Sequence, residues 1–127
     1  MVKSRTASRK KTRKSVPLTL SVKLPSQRVR ERFLIIYELE GCQKAVNYLT
    51  KHYHVKKMRI MLDGRKVGKN CIASYLEDCA YFKKTGLKKQ VVLHELYHHL
   101  IKCNGLEPSL RMEEKEANHY AGDFAKM

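Results

Sequence analysis

The sequence lacks any apolar run long enough to cross a lipid bilayer. Its longest uncharged apolar runs, residues 33–37 and 91–93, are far shorter than the roughly 20 residues of a spanning helix. It also lacks a C-x-x-C pair among its four cysteines, which argues against a zinc ribbon and a thioredoxin-like redox motif. We therefore expect free buried thiols and no membrane contact. Because no signal-peptide pattern follows the basic N-terminus, we also expect a cytoplasmic location.

Acidic residues are missing from the first 30 positions, which hold ten Lys or Arg, whereas residues 31–127 hold 17 basic and 12 acidic residues. Residues 3–14 have no large apolar side chain and cannot bury enough surface to fold. We therefore expect a disordered basic tail over residues 1–15 and one folded domain over residues 16–127. The tail either contacts nucleic-acid phosphates or is only a solvated segment. Its candidate contacts are Arg9, Lys10, Lys11, Arg13 and Lys14.

Hydrophobic spacing predicts a small α/β (α+β) domain. Apolar residues at helical spacing between Phe33 and Leu49 indicate one helix interrupted at Gly41, or two helices. Residues 55–62 alternate between apolar and basic side chains, which predicts a strand.

Two more short strands are expected at residues 71–76 and 80–82, with the turn near Glu77 and Asp78. Together the three predicted strands form a small antiparallel or mixed sheet. A largely buried helix over residues 88–103 and a final helix from Leu110 complete the domain.

His94, Glu95 and His98 form an H-E-x-x-H motif in the predicted buried helix. The i to i+4 spacing projects both imidazoles from one helix face, within reach of a single metal ion. Two neutral histidines suit Zn²⁺, and a third protein ligand leaves one position for a water molecule. Glu95 lies about 100° around the helix and can accept a proton from that zinc-bound water. This pattern indicates hydrolase chemistry.

The residues after the motif carry a resemblance to a known family. Residues 114–118 read E-K-E-A-N, and His119, Tyr120 and Ala121 follow directly. This pattern resembles the glutamate helix of gluzincin metallopeptidases and of ImmA/IrrE-type proteins. The sequence is most similar to the minigluzincins, which are minimal catalytic cores of such enzymes. The resemblance covers roughly residues 40–127 and implies a minimal zincin fold, with an N-terminal helical layer, a sheet of about three strands, the metal helix and the glutamate helix.

The resemblance also implies roles for individual residues. His94 and His98 would bind zinc, Glu95 would act as general base and acid, and Glu114 would be the third ligand. Asn118, one helical turn later, would be the partner of a histidine ligand.

Several neighbouring side chains are weaker candidates. Glu113, Glu114 and Glu116 lie at different angles around the helix, so only one of them can face the metal. Glu113 and Glu116 are therefore expected on a solvated face. His99 is rotated away from the metal face and is expected in a polar contact or at the rim. His119 and Tyr120 are candidates for stabilising an oxyanion, although the spacing of Tyr120 also fits a core residue.

These observations predict a zinc-dependent metallopeptidase that acts on a peptide or protein substrate. An alternative is a nucleic-acid- or ribosome-associated binding protein that keeps the zincin scaffold, with structural zinc and little activity. A third hypothesis combines the two, as a peptidase that its basic tail directs to nucleic-acid-bound targets.

Overall fold

A computed structural model of the chain describes residues 19–126. The predicted tail over residues 1–15, with its five candidate nucleic-acid contacts, lies outside the described residues. The described part has four α-helices and one three-stranded sheet: α1 (Gln27–Glu40), α2 (Cys42–His52), β1 (Arg59–Leu62), β2 (Ala73–Leu76), β3 (Cys79–Phe82), α3 (Lys89–Cys103) and α4 (Leu110–Phe124). The predicted α+β class with one small sheet is confirmed.

The first helical region is two helices that meet at Gly41. Ser26 caps the start of α1 by accepting a hydrogen bond from the Val29 N–H. Gly41 has a φ of +100°, a backbone conformation that suits glycine, and its N–H donates to the carbonyls of Ile36 and Tyr37. The chain therefore turns at Gly41 and starts α2 at once.

The sheet is mixed, with the strand order β1-β3-β2. β1 runs parallel to β3, and β2 pairs with β3 as an antiparallel hairpin. Glu77 and Asp78 form the two-residue turn of this hairpin, with φ of +50° and +62°. Positive φ at both central positions fits the right-handed twist of a hairpin. The predicted turn is confirmed.

β1 is shorter than the strand predicted over residues 55–62. Only residues 59–62 pair with β3, because backbone groups of the residues before Arg59 form hydrogen bonds with the helices. The Val55 N–H closes the end of α2 by donating to the Thr50 carbonyl, at 3.0 Å. The carbonyls of Lys56 and Met58 accept bonds from side chains of the helices. This segment therefore packs against the helices instead of extending the sheet.

The two C-terminal helices pack against each other and against the sheet. α3 ends at Cys103 and is followed by Asn104 and by Gly105, which has a φ of +67°. Ser109 caps the start of α4 by accepting a hydrogen bond from the Met112 N–H. Helices and sheet enclose one core, whose largest fully buried side chains include Tyr97, Tyr120, Phe33, Phe82 and Phe124. Within residues 19–126, no helix has the length and apolar character needed to cross a membrane.

All four cysteines are unpaired. Cys79 is buried as expected, whereas Cys71 is exposed and Cys42 and Cys103 are partly exposed. The expectation of free thiols is met, but that of buried thiols holds fully only for Cys79.

Candidate metal centre

Three predicted ligands converge between α3 and α4. The Nε2 atoms of His94 and His98 lie 3.2 Å apart. The two carboxylate oxygens of Glu114 lie 3.2 Å from His94 Nε2 and 2.7 Å from His98 Nε2. The structure therefore brings together the two histidines of one helix and the carboxylate selected on the next helix.

The spacing of these atoms suits a zinc ion. Tetrahedral ligands that lie about 2.0–2.1 Å from Zn²⁺ are separated from each other by roughly 3.3 Å. The observed separations of 2.7 to 3.2 Å are close to this value. Two imidazoles and one carboxylate are also a ligand chemistry that zinc prefers. The residues present therefore fit a zinc ion.

Glu113 fixes the orientation of the His98 ring, and this contradicts the expectation that Glu113 lies on a solvated face. Its carboxylate accepts a hydrogen bond from His98 Nδ1. Because an ionised carboxylate can only accept, His98 donates from Nδ1, and its other ring nitrogen, Nε2, faces Glu114. Glu113 is only 21% exposed, so it lies against His98 and not on a solvated face.

The surroundings of His94 lower its pKa and so favour its neutral form. Burial and the nearby His98 lower the pKa of His94, while Glu114 and a hydrogen bond with Asn118 act in the opposite direction. Asn118 lies one helical turn beyond Glu114 and lines the same cleft. It thus lies beside His94, which is the position that the resemblance implied for it.

Glu95 is buried beside the ligand cluster, with 7% of its surface exposed. Burial is the main reason that the pKa of Glu95 rises to about 7, with an opposing influence of His98 and a reinforcing one of Glu114. A carboxyl with a pKa near neutrality can both accept and donate a proton at physiological pH. Glu95 lines the same cleft as the ligand cluster.

The ligand cluster opens into a cleft of about 1150 Å³. One wall is the segment from Asn70 to Tyr75, which includes most of β2, and the other walls are α3 and α4. The outer edge of β2 has no strand partner within the described residues. A strand edge beside the metal position is available to pair with an extended peptide.

Glu116 is buried and does not line the cleft, in contrast to the solvated position expected for it. It is 3% exposed, and its carboxylate accepts hydrogen bonds from the Tyr97 hydroxyl and, at 2.9 Å, from the Ser21 N–H. The Val22 N–H donates in turn to the Tyr97 oxygen, at 3.2 Å. Burial alone would raise the pKa of Glu116, but these hydrogen bonds hold it below its ordinary value. We call these four residues the N-terminal clamp.

His99 takes part in a separate hydrogen-bond network. It is fully buried, its Nε2–H donates to the Lys56 carbonyl at 2.7 Å, and its Nδ1 forms a hydrogen bond of 2.8 Å with the Tyr75 hydroxyl. The expected polar contact is therefore present, but not at the rim. Asp78 and Cys103 lie close enough to form a metal-like cluster with His99. Both ring nitrogens of His99 are already engaged, so it offers no lone pair to a metal.

The two candidates for oxyanion stabilisation lie outside the cleft lining. His119 is exposed on α4. Tyr120 is fully buried, and its hydroxyl is 3.0 Å from that of Tyr53. Tyr120 also packs against Tyr97 and Phe124. This placement corrects the oxyanion hypothesis for Tyr120 in favour of the core alternative, because a buried hydroxyl cannot reach a substrate.

Comparisons of the chain with protein-family models, with curated proteins and with solved structures found no match.

Proposed function

We propose that the protein is a zinc-dependent metallopeptidase, with zinc held by His94, His98 and Glu114. The observation that carries the proposal is the convergence of these three donors next to the buried carboxyl of Glu95. Two histidines, two carboxyls and an open cleft are the elements of metal-assisted hydrolysis.

When bound, zinc would supply Lewis acidity, which lowers the pKa of water to about 7 and polarises a carbonyl group. Glu95 accepts a proton from the attacking water, whose oxygen forms the new bond to the carbonyl carbon. The protonated Glu95 then donates this proton to the amine nitrogen as the C–N bond breaks. One water is consumed, and a new carboxyl and a new amine are released.

Other residues of the chain position these groups. Glu113 holds the proton of His98 on Nδ1, and Asn118 supports His94. The free edge of β2 would bind the substrate backbone in an extended form, alongside the metal position. We also propose a cytoplasmic location, where the four unpaired cysteines stay reduced.

The decisive experiment compares the wild-type protein with Glu95→Gln. We expect stoichiometric zinc in both proteins by metal analysis, and chelator-sensitive cleavage of unfolded casein by the wild type alone. Glu107→Gln is a matched control, because Glu107 lines the cleft but is exposed and is not part of the ligand cluster. Equal activity in the wild type and Glu95→Gln would reject the proposed mechanism.

The alternative function is a nucleic-acid- or ribosome-associated binding protein with structural zinc. The basic composition favours it, with a formal net charge of +15 on 127 residues. Zinc content does not separate the two functions, because both require the metal. A zinc-loaded protein that binds RNA tightly and cleaves no unfolded protein would support the binding function.

A further inference from the structure

A group of lysines lies at one end of the sheet without acidic partners. We call it the lysine patch, and it consists of Lys66, Lys69, Lys84 and Lys88. All four are exposed, and no carboxylate of residues 19–126 lies within 4.0 Å of their ammonium groups. By contrast, the neighbouring Lys89 pairs with Glu38 at 2.6 Å. The patch therefore carries a net positive charge, with Asp63 near Lys66 but not in an ion pair with it.

The fold brings these lysines together from two segments. The segment that follows β1 and the segment that follows β3 lie at the same end of the sheet, because the two strands are parallel. Lys83 joins them, since its ammonium group donates to the carbonyls of Gly68 and Lys69, at 3.3 and 3.1 Å. Gly86 packs so closely on Ile72 that an added Cβ would lie 2.4 Å from the Ile72 carbonyl oxygen. The two segments therefore form one surface.

This surface continues into the cleft of the candidate metal centre. Lys88 lines the cleft directly, together with Asn70, which follows Lys69 in the chain. The Lys66 carbonyl accepts a hydrogen bond of 3.0 Å from Ser74, which lies in β2 and also lines the cleft. The lysine patch thus lies where β2 begins.

From this juxtaposition we infer that the lysine patch binds an acidic segment of the peptide substrate, on the carboxyl side of the bond that is cleaved. The inference rests on the proposed function. An antiparallel strand on the free edge of β2 runs toward the start of β2. The residues that follow the scissile bond would then lie beside the patch. Charge complementarity selects acidic side chains at these positions.

The structure favours a peptide over a nucleic acid as the partner of this surface. The patch adjoins a free strand edge, whose N–H and C=O groups pair with a peptide backbone. Lysine supplies a point charge and does not provide the bidentate geometry that arginine offers to phosphates. A nucleic acid would gain only the charge, whereas an acidic peptide gains both the charge and the backbone pairing.

The test uses three labelled peptides with the same apolar centre. One carries three Glu after the centre, one carries three Glu before it, and one carries Gln at all of these positions. Cleavage is measured with the zinc-loaded wild type, and binding is measured by fluorescence anisotropy with zinc-loaded Glu95→Gln. We expect the peptide with Glu after the centre to be cleaved fastest and bound most tightly, and we expect this preference to shrink as salt is raised.

Variants of the patch provide the control. The triple variant Lys66→Gln, Lys69→Gln, Lys84→Gln should lose about tenfold in binding of the preferred peptide, since an exposed ion pair is worth about two- to fivefold. A second triple variant makes the same charge change at lysines of another surface groove, Lys44, Lys51 and Lys57, and should keep the preference.

The outcomes separate the two proposals. Equal binding of all three peptides, tighter binding of the peptide with Glu before the centre, or equal losses in both triple variants would overturn the inference. Displacement of the preferred peptide by a single-stranded oligonucleotide at equal concentration would also overturn it, in favour of a general polyanion surface. Failure of the wild type to cleave any peptide, with the binding preference intact, would reject the proposed function alone.

Discussion

Removing the charge of Glu95 should stabilise the metal-free protein, and should do so more at higher pH. Burial raises the pKa of Glu95 from an ordinary value of 4.5 to about 7. The folded protein therefore binds more protons than the unfolded chain between these values, and its stability falls as pH rises. A shift of about 2.5 pKa units corresponds to about 3.4 kcal/mol at 1.36 kcal/mol per unit, with little screening because the residue is only 7% exposed.

Most of this loss falls within an accessible pH range. Between pH 5 and pH 8 the ionisation of Glu95 should cost the folded state about 2.5 kcal/mol, because part of the ionisation of the unfolded chain is complete at pH 5. Glutamine has a similar shape and does not titrate. The stability difference between Glu95→Gln and the wild type should therefore grow by about 2.5 kcal/mol over this range.

Urea unfolding of both proteins at pH 5 and pH 8, after removal of metal with a chelator, measures this difference. Glu107→Gln is the control, because it removes an exposed carboxyl of the same cleft that is not part of the ligand cluster. Added zinc should reduce the effect, because a nearby cation favours the ionised carboxylate. A difference that changes by less than about 0.5 kcal/mol between the two pH values would refute the argument that burial controls Glu95.

Four further predictions concern the metal, the clamp and the tail. Glu114→Ala should lose stoichiometric zinc in metal analysis, whereas Glu113→Ala should keep it with about 10- to 100-fold weaker affinity; the reverse result would show that Glu113 is the ligand. Removal of zinc by a chelator should lower the melting temperature by several degrees, since free zinc at 100 times its Kd stabilises the fold by about 2.7 kcal/mol, and an unchanged melting curve would contradict this. Tyr97→Phe should destabilise the protein by about 1–3 kcal/mol in urea unfolding, because a buried carboxylate loses a donor. Tyr48→Phe is its control and should change stability by less than about 0.5 kcal/mol. Deletion of residues 1–15 should weaken binding to RNA and DNA and make the dependence on salt less steep; unchanged affinity and salt dependence would assign the contact to the folded domain.

The sequence was informative where structure depends on local interactions. The break at Gly41 and the cap after Cys103 follow from the backbone preferences of glycine, so both could be located without a structure. The spacing of His94 and His98 is likewise a property of a single helix. Such features need only residues that are close in the chain.

The roles of Glu113 and Glu116 could not be read from charge patterning, because both depend on contacts between distant segments. Glu116 is buried by a backbone segment 95 positions earlier. For Glu113, the sequence did contain one signal that could have predicted its contact with His98. A histidine ligand commonly donates its second N–H to a carboxylate, and His98 therefore needed an acceptor on the neighbouring helix, where Glu113 lies.

The N-terminal clamp also has a consequence for the order of folding. α3 and α4 are consecutive in the chain, so they can pack together with little loss of chain entropy. The contact of Ser21 with Glu116 instead closes a loop of 95 positions, which is entropically more costly. Of these two partners of the Glu116 carboxylate, only the Tyr97 hydroxyl belongs to the helix pair itself. The helix pair that carries the proposed metal ligands should therefore form early, and its final geometry should appear only after the segment before α1 has docked.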